Sequence, residues 1–253
     1  MAKFVRFINP ENQERYGIVN KEGNFAEIEG DIFTAYKITD KMREPGAVKI
    51  LPPCMPGKIV AAGLNYRDHA REMKMAIPDE PVLFIKTQNT VIGHLDQIIY
   101  PDMTEQLEYE AELAIVIRNR IRDIDEDMVA NNILGYTCLN DVTARDLQKK
   151  DGQWTRAKCF DTFAPIGPYI ATDINPDKAD IKLYLNDVIK QDSNTSNFIF
   201  KTRKLVSFIS RIMTLNRGDI VTTGTPAGIG PMQRGDSVAV EIEGIGRLVN
   251  TVK

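Results

Sequence analysis

Between Leu107 and Ile117 the chain reads LEYEAELAIVI, and its apolar residues recur at every second position. Side chains two apart in a strand share a face, so Leu107, Tyr109, Ala111, Leu113, Ile115 and Ile117 define one apolar face. The opposite face carries Glu108, Glu110 and Glu112 before it turns apolar at Ala114 and Val116. The pattern predicts one continuous strand entering the interior, with three carboxylates that repel each other unless positive charge lies over them. Strand patterns also occur at PVLFIK, VIGHLDQIIY, GYTCLND, PIGPYIA, IKLYLNDVIK, GDIVTTG and SVAVEIEGIGRLVNTVK. Helical periodicity is rarer. Residues 202–213 place Leu205, Val206, Phe208, Ile209, Ile212 and Met213 on one stripe, residues 125–132 form a second helical stretch, and NYRDHAREMKM carries helix formers as far as Pro78. Helices and strands do not alternate as in a βαβ series, which predicts a β-rich α+β fold with mixed or antiparallel sheets.

The pattern changes near residue 55. KFVRFIN and ERYGIVN are short strand-like runs, and Lys21-Glu22-Gly23-Asn24 is a hairpin turn before FAEI. Residues 1–55 are expected to form a small accessory domain and 56–253 the main domain. The three prolines of LPPCMPG mark the boundary, and KIVAAG begins the main domain as its first strand. The 253 residues are 43% apolar and 26% charged, with a net charge of −3 and no basic run that would suit nucleic acid or an anionic membrane. No apolar run reaches the ~18 residues of a membrane span, and the first residues lack the apolar core of a signal peptide. Cys54, Cys138 and Cys159 are odd in number and form no CxxC pair, so no disulfide framework is expected. These features fit a cytoplasmic enzyme or small-ligand binding protein.

Asp141 closes GYTCLND. With Glu110 and Glu112 it forms an all-oxygen donor set, which suits Mg²⁺ or Mn²⁺ and not Zn²⁺; the alternative is a solvated strand face. Glu108, at the strand start, is expected to be solvated. His69 and Glu72 are three residues apart and share a helix face, either as a surface pair or as a carboxylate orienting an imidazole that deprotonates water. His94 has no helical partner and reads as structural. Lys86 ends VLFIK and Lys158 lies in WTRAKCFD, each a candidate for holding an oxyanion or carboxylate. A helix beginning near Val142 puts Arg145 and Gln148 on one side of its early turns, where arginine suits a substrate carboxylate. VTTGTPAGIGP at 221–231 lacks the spacing of phosphate loops; it is a tight turn, or a loop whose amides and Thr225 hydroxyl face a carboxylate.

From Lys58 onward, VAAGLNYRDHARE, EPVLFIK, YEAEL, GYTCLNDVTARDLQ, WTRAKCFD and GDIVTTGTPAGIG follow one another in an order that resembles the fumarylacetoacetate hydrolase family. The resemblance implies a mixed β-roll around a metal site, and a homodimer; the small amino-terminal domain is expected from its position in the chain. It implies Glu110, Glu112 and Asp141 as Mg²⁺ or Mn²⁺ ligands, and His69 and Glu72 as a catalytic pair on a lid segment. It further implies Lys158 as a pocket lysine near the metal, and Lys86, Arg145, Gln148 and Thr225 as substrate contacts. Lys86-Thr87 stands where the family pattern has Lys-Pro. The activity expected is hydrolysis or decarboxylation of small 2-oxo acids such as acylpyruvates or oxaloacetate. The alternative is isomerisation or tautomerisation of oxaloacetate or of 2-hydroxyhepta-2,4-diene-1,7-dioate-type acids.

Overall fold

The computed structural model describes residues 2–253. Its centre is the strand Ala111–Ile117, buried along its whole length. A strand covered on both faces must be apolar on both, and this one departs from that rule only at Glu112. Ile133–Asn140 and Ile220–Thr222 flank it, both antiparallel. Ile59–Ala62 runs parallel to Ile220–Thr222, and Leu83–Lys86 closes that end of the 12-stranded sheet. On the other side Ala164–Ala171 pairs with Ile133–Asn140 and then with Lys3–Ile8. Through that pairing the antiparallel run Lys3–Ile8, Glu14–Val19, Phe25–Gly30 and Tyr36–Arg43 continues the same sheet.

A second sheet of five strands is ordered Val188–Asn194, Asp180–Leu185, Ser237–Ile242, Gly246–Val252 and Gln97–Ile98. Ile181, Leu183, Val240 and Leu248 from this sheet share a core with Leu113 and Cys138 of the first. The helix Thr202–Ile212 covers another part of the central strand, packing Leu205, Val206 and Ile209 with Ile115, Ile117 and Val221. The strand-rich α+β roll therefore follows from the alternating pattern, and the one long amphipathic stripe became the one long helix. The turn at 186–187 holds Asn186 and Asp187 at φ 52° and 61°, the left-handed pair that a two-residue hairpin needs. All three cysteines are free thiols.

Four expectations change. The strand predicted over 107–117 is two strands in different sheets: Leu107–Tyr109 pairs with Thr143–Ala144 and Gly230–Pro231, and Ala111–Ile117 belongs to the large sheet. Side chains intercept the backbone at the break. The Glu110 amide donates to Asn140 Oδ1 at 3.0 Å and the Ala111 amide to Gln191 Oε1 at 2.9 Å. The helix expected near Val142 starts at Arg145, because Thr143 and Ala144 are held as strand by Glu108 and Leu107. The helix in NYRDHAREMKM is only Arg67–Glu72, and the chain leaves it well before Pro78, with Lys74 at φ 54°. VIGHLDQIIY gives two short strands, Val91–Ile92 and Gln97–Ile98, separated by a turn in which Asp96 Oδ2 accepts the Gly93 amide.

Ile115 is fully buried and Ile38 is 60% exposed. Ile115→Ala should lower the urea-unfolding free energy by about 2–5 kcal/mol, whereas Ile38→Ala should change it by no more than about 0.5 kcal/mol.

Candidate active site

The break at Glu110 is what places the charged groups together. The Asp141 amide donates to the Glu110 carbonyl at 2.8 Å, extending the Ala111–Asn140 pairing by one residue and bringing Asp141 beside Glu110 and Glu112. Carboxylate oxygens of Glu110, Glu112 and Asp141 lie within 4.8 Å of one another, and all three residues are buried.

Buried carboxylates need positive partners or neutralisation. Lys158 Nζ donates to Glu110 Oε2 at 2.9 Å and to Asp141 Oδ2 at 2.5 Å. Lys86 Nζ donates to Asp141 Oδ1 at 2.5 Å and to the Val142 carbonyl at 3.2 Å. Both lysines are almost fully buried. Arg145 Nη2 pairs with Glu110, Nε donates to Glu108 at 2.7 Å, and Nη1 donates to Gln148 Oε1 at 2.5 Å. Glu108 is thus not solvated as its place at the strand start suggested. It is 5% exposed and takes one side of Arg145, its strand being the middle one of the three-stranded sheet, between Thr143–Ala144 and Gly230–Pro231.

Four carboxylates (Glu108, Glu110, Glu112, Asp141) meet three cations (Lys86, Lys158, Arg145). Burial alone would raise the Glu110 pKa, but Lys158 and Arg145 override it and hold the group well below the ordinary carboxylate range. Glu112 goes the other way. Burial pushes its pKa well above normal, and the Asp141 and Glu110 carboxylates push it further. Among the described residues no lysine or arginine is hydrogen-bonded to Glu112; its Oε2 accepts the Gly224 amide at 2.9 Å. Burial lowers the Lys86 pKa, whereas Lys158 is held above normal because Asp141 and Glu110 outweigh its own desolvation. A donor set of hard oxygens with unbalanced negative charge at Glu112 fits a divalent cation.

His69 Nδ1 lies 3.0 Å from Glu72 Oε2. With a carboxylate facing it, Nδ1 carries the hydrogen of the neutral ring and Nε2 keeps its lone pair. Glu72 Oε1 also accepts the Gly228 amide at 3.0 Å. The 223–230 loop therefore holds Glu112 through Gly224 and the short helix of His69 through Gly228. Asp68 Oδ2 adds a bond from Ser193 Oγ at 2.6 Å. Thr225 sits on the same loop, where its Oγ1 accepts from Gln191 Nε2 at 2.9 Å. His94 lies elsewhere, with Nδ1 accepting the Val249 amide at 3.1 Å.

The structure thus joins Lys86, Glu110, Asp141, Arg145, Gln148 and Lys158 in one bonded network, with Glu112 packed against it. It links His69, Glu72 and Thr225 to that network through one loop. Lys86 meets Asp141 directly, a contact its place at a strand end did not reveal. Asn140 and Gln191, which fix the two amides around Glu110, were not identified from the sequence. A buried glutamine in a strand leaves no pattern that marks it as a partner of residues 80 positions away.

Residues 58–253 match the family model described as fumarylacetoacetate (FAA) hydrolase C-terminal, and residues 2–53 match one described as Rv2993c-like, N-terminal. The chain belongs to the fumarylacetoacetate hydrolase family. An uncharacterized protein of Archaeoglobus fulgidus is 55% identical, with 91% of this chain and 90% of the relative aligned. The mitochondrial oxaloacetate tautomerase Fahd2a of Rattus norvegicus is 37% identical over 80% of this chain and 68% of its own. The crystal structure of 2-hydroxyhepta-2,4-diene-1,7-dioate isomerase from Mycobacterium marinum superposes with a TM-score of 0.93 at 37% identity, covering 100% of this chain and 98% of that one. Among the described residues no helix is long and apolar enough to cross a membrane.

Removing one carboxylate should separate cation binding from stability. Glu110→Gln leaves Lys158 and Arg145 short of a partner and should cost about 3–5 kcal/mol in the cation-free protein. Glu112→Gln replaces a carboxyl whose charged form burial and its neighbours disfavour, and should leave that stability unchanged or raised. Both should abolish Mn²⁺ binding by calorimetry, and undiminished binding in either would exclude that residue as a ligand.

Proposed function

We propose that this protein is a divalent-cation-dependent enzyme that moves a proton between carbon and oxygen in small 2-oxo dioic acids such as oxaloacetate, interconverting enol and keto forms. The observation that carries the reading is the pairing of a buried carboxylate triad with an imidazole oriented by Glu72. The relatives support the reaction type, since one is named a tautomerase and another an isomerase. Mg²⁺ or Mn²⁺ is the cation we assign to Glu110, Glu112 and Asp141, and when bound it supplies positive charge where negative charge develops on the substrate's keto oxygen.

The chain's own residues then have separate tasks. Lys86 and Lys158 hold Asp141 and Glu110 in place and keep the cluster charged. Arg145, steadied by Gln148, and the Thr225 hydroxyl bind substrate oxygens. His69 Nε2 takes the proton from the carbon next to the keto group and gives it to the oxygen of the resulting enolate, or carries it from the enol oxygen to that carbon in the reverse direction, while Glu72 fixes the ring and stabilises the charge it gains. All of these residues lie beyond residue 58. In this reading residues 1–55 are an accessory unit, supported by the position of their strands on the far side of Ala164–Ala171.

Carbon–carbon bond hydrolysis or decarboxylation is the second reading: the same Nε2 can take a proton from water for hydrolysis, and the same cluster can stabilise the enolate left by loss of carbon dioxide. The enol form of oxaloacetate, given to Mg²⁺-loaded protein, should relax to the keto form faster than in buffer with no added release of carbon dioxide. His69→Ala should lower kcat by about 10²–10⁴-fold. Carbon dioxide released in step with substrate loss would select decarboxylation instead, and full activity after exhaustive EDTA treatment would remove the cation from the mechanism.

A further inference from the structure

We propose that Gln191 is a positioning residue that makes Thr225 a one-way hydrogen-bond donor into the site, so that the site selects ligands presenting a carboxylate or carbonyl oxygen there. This inference rests on the function proposed above. Gln191 lies in the strand Val188–Asn194, has no exposed surface, and was not among the residues singled out in the sequence. Its side chain makes three hydrogen bonds. Oε1 accepts the Ala111 amide at 2.9 Å, and Nε2 donates to Thr225 Oγ1 at 2.9 Å and to the Pro226 carbonyl at 2.8 Å.

Two of those partners have no choice of role. The Ala111 amide can only donate and the Pro226 carbonyl can only accept. Flipping the Gln191 amide would set donor against donor at Ala111 and acceptor against acceptor at Pro226, so the orientation of the amide is fixed by backbone. Nε2 must therefore face Thr225. A hydroxyl has one hydrogen to donate and lone pairs to accept, and here Gln191 occupies a lone pair. Among the described residues Thr225 Oγ1 makes no other side-chain hydrogen bond, so its hydrogen is left for a ligand oxygen.

The same glutamine acts on both walls of the site. Its bond to Ala111 holds the backbone between Glu110 and Glu112, and its bonds to Thr225 and Pro226 hold the loop whose Gly224 and Gly228 amides reach Glu112 and Glu72. Contact there is tight, since a Cβ on Gly228 would lie 2.3 Å from the Lys190 carbonyl oxygen. The hydroxyl is thus fixed in direction and in distance from the carboxylate cluster.

The experiment compares the parent, Gln191→Glu, Thr225→Val and the double variant, each loaded with Mg²⁺. Two readouts are taken: steady-state turnover of oxaloacetate, and calorimetric binding of oxalate as an unreactive 2-oxo acid mimic. In Gln191→Glu the new carboxylate accepts from Ala111, and its second oxygen, set against the Pro226 carbonyl that Nε2 served, captures the Thr225 hydrogen and turns it away from the ligand. Gln191→Glu and Thr225→Val should each raise KM and the oxalate Kd about tenfold or more with a much smaller change in kcat, and the double variant should be no worse than either. Gln191→Met serves where the buried glutamate prevents folding. It frees the Pro226 carbonyl to capture the Thr225 hydrogen and should also raise KM, whereas Thr225→Ser, which keeps the hydroxyl, should stay near the parent. Effects that add in the double variant, or a Gln191 effect confined to kcat and thermal stability, would overturn the role of Gln191 while the proposed function stands. A parent that neither binds oxalate nor turns over oxaloacetate would overturn the proposed function and this inference with it.

Discussion

Placing carboxylates inside a protein requires nearby positive charge, and the interior of this one is arranged to supply it. Lys158 bridges Glu110 and Asp141, Lys86 takes the second oxygen of Asp141, and Arg145 spans Glu108 and Glu110. These residues come from four separate stretches of the chain, so the network forms only when the large sheet, the small three-stranded sheet and the loops at their ends are all in place. Removing any one partner leaves a buried charge uncompensated, a penalty much larger than that of an exposed pair. The network therefore ties the fold to the site: what makes the cluster tolerable in the interior also fixes its geometry.

The imbalance within that network is as informative as its bonds. Glu112 accepts the Gly224 amide and has no cationic hydrogen-bond partner among the described residues, and the Asp141 and Glu110 carboxylates outweigh the more distant Lys158. A site filled only for stability would pair this group or replace it with an apolar residue, as the rest of the buried Ala111–Ile117 strand does. Retaining it makes a locally negative position that a divalent cation satisfies and an apolar core would not.

The 223–230 loop connects this cluster to the residues above it. Its amides at Gly224 and Gly228 bind Glu112 and Glu72, and Thr225 between them is held by Gln191. Gly224 and Gly228 have φ of 80° and 97°, in the left-handed region that glycine enters without penalty. The loop resembled a phosphate-binding turn only in composition. Its amides are directed at protein carboxylates, and that use follows from the carboxylates around it.

The sequence alone determined the strand-rich class, the long helix, the Glu110–Glu112 pair and the His69–Glu72 spacing, because each is a short-range pattern: a period of two, a period of 3.6, or charges a few residues apart. The family followed from the order of six such segments. What the tertiary structure decided was every relation between distant segments. It divided LEYEAELAIVI at Glu110 through the side chains of Asn140 and Gln191, delayed a helix to Arg145 by pairing Thr143 with Glu108, and turned Glu108 from a solvated residue into a buried partner of Arg145. Local periodicity carries no information about which polar side chain a distant strand will present to a backbone amide. Those bonds are settled only when the sheets pack, and here they set the position of Glu110 and the direction of the Thr225 hydroxyl.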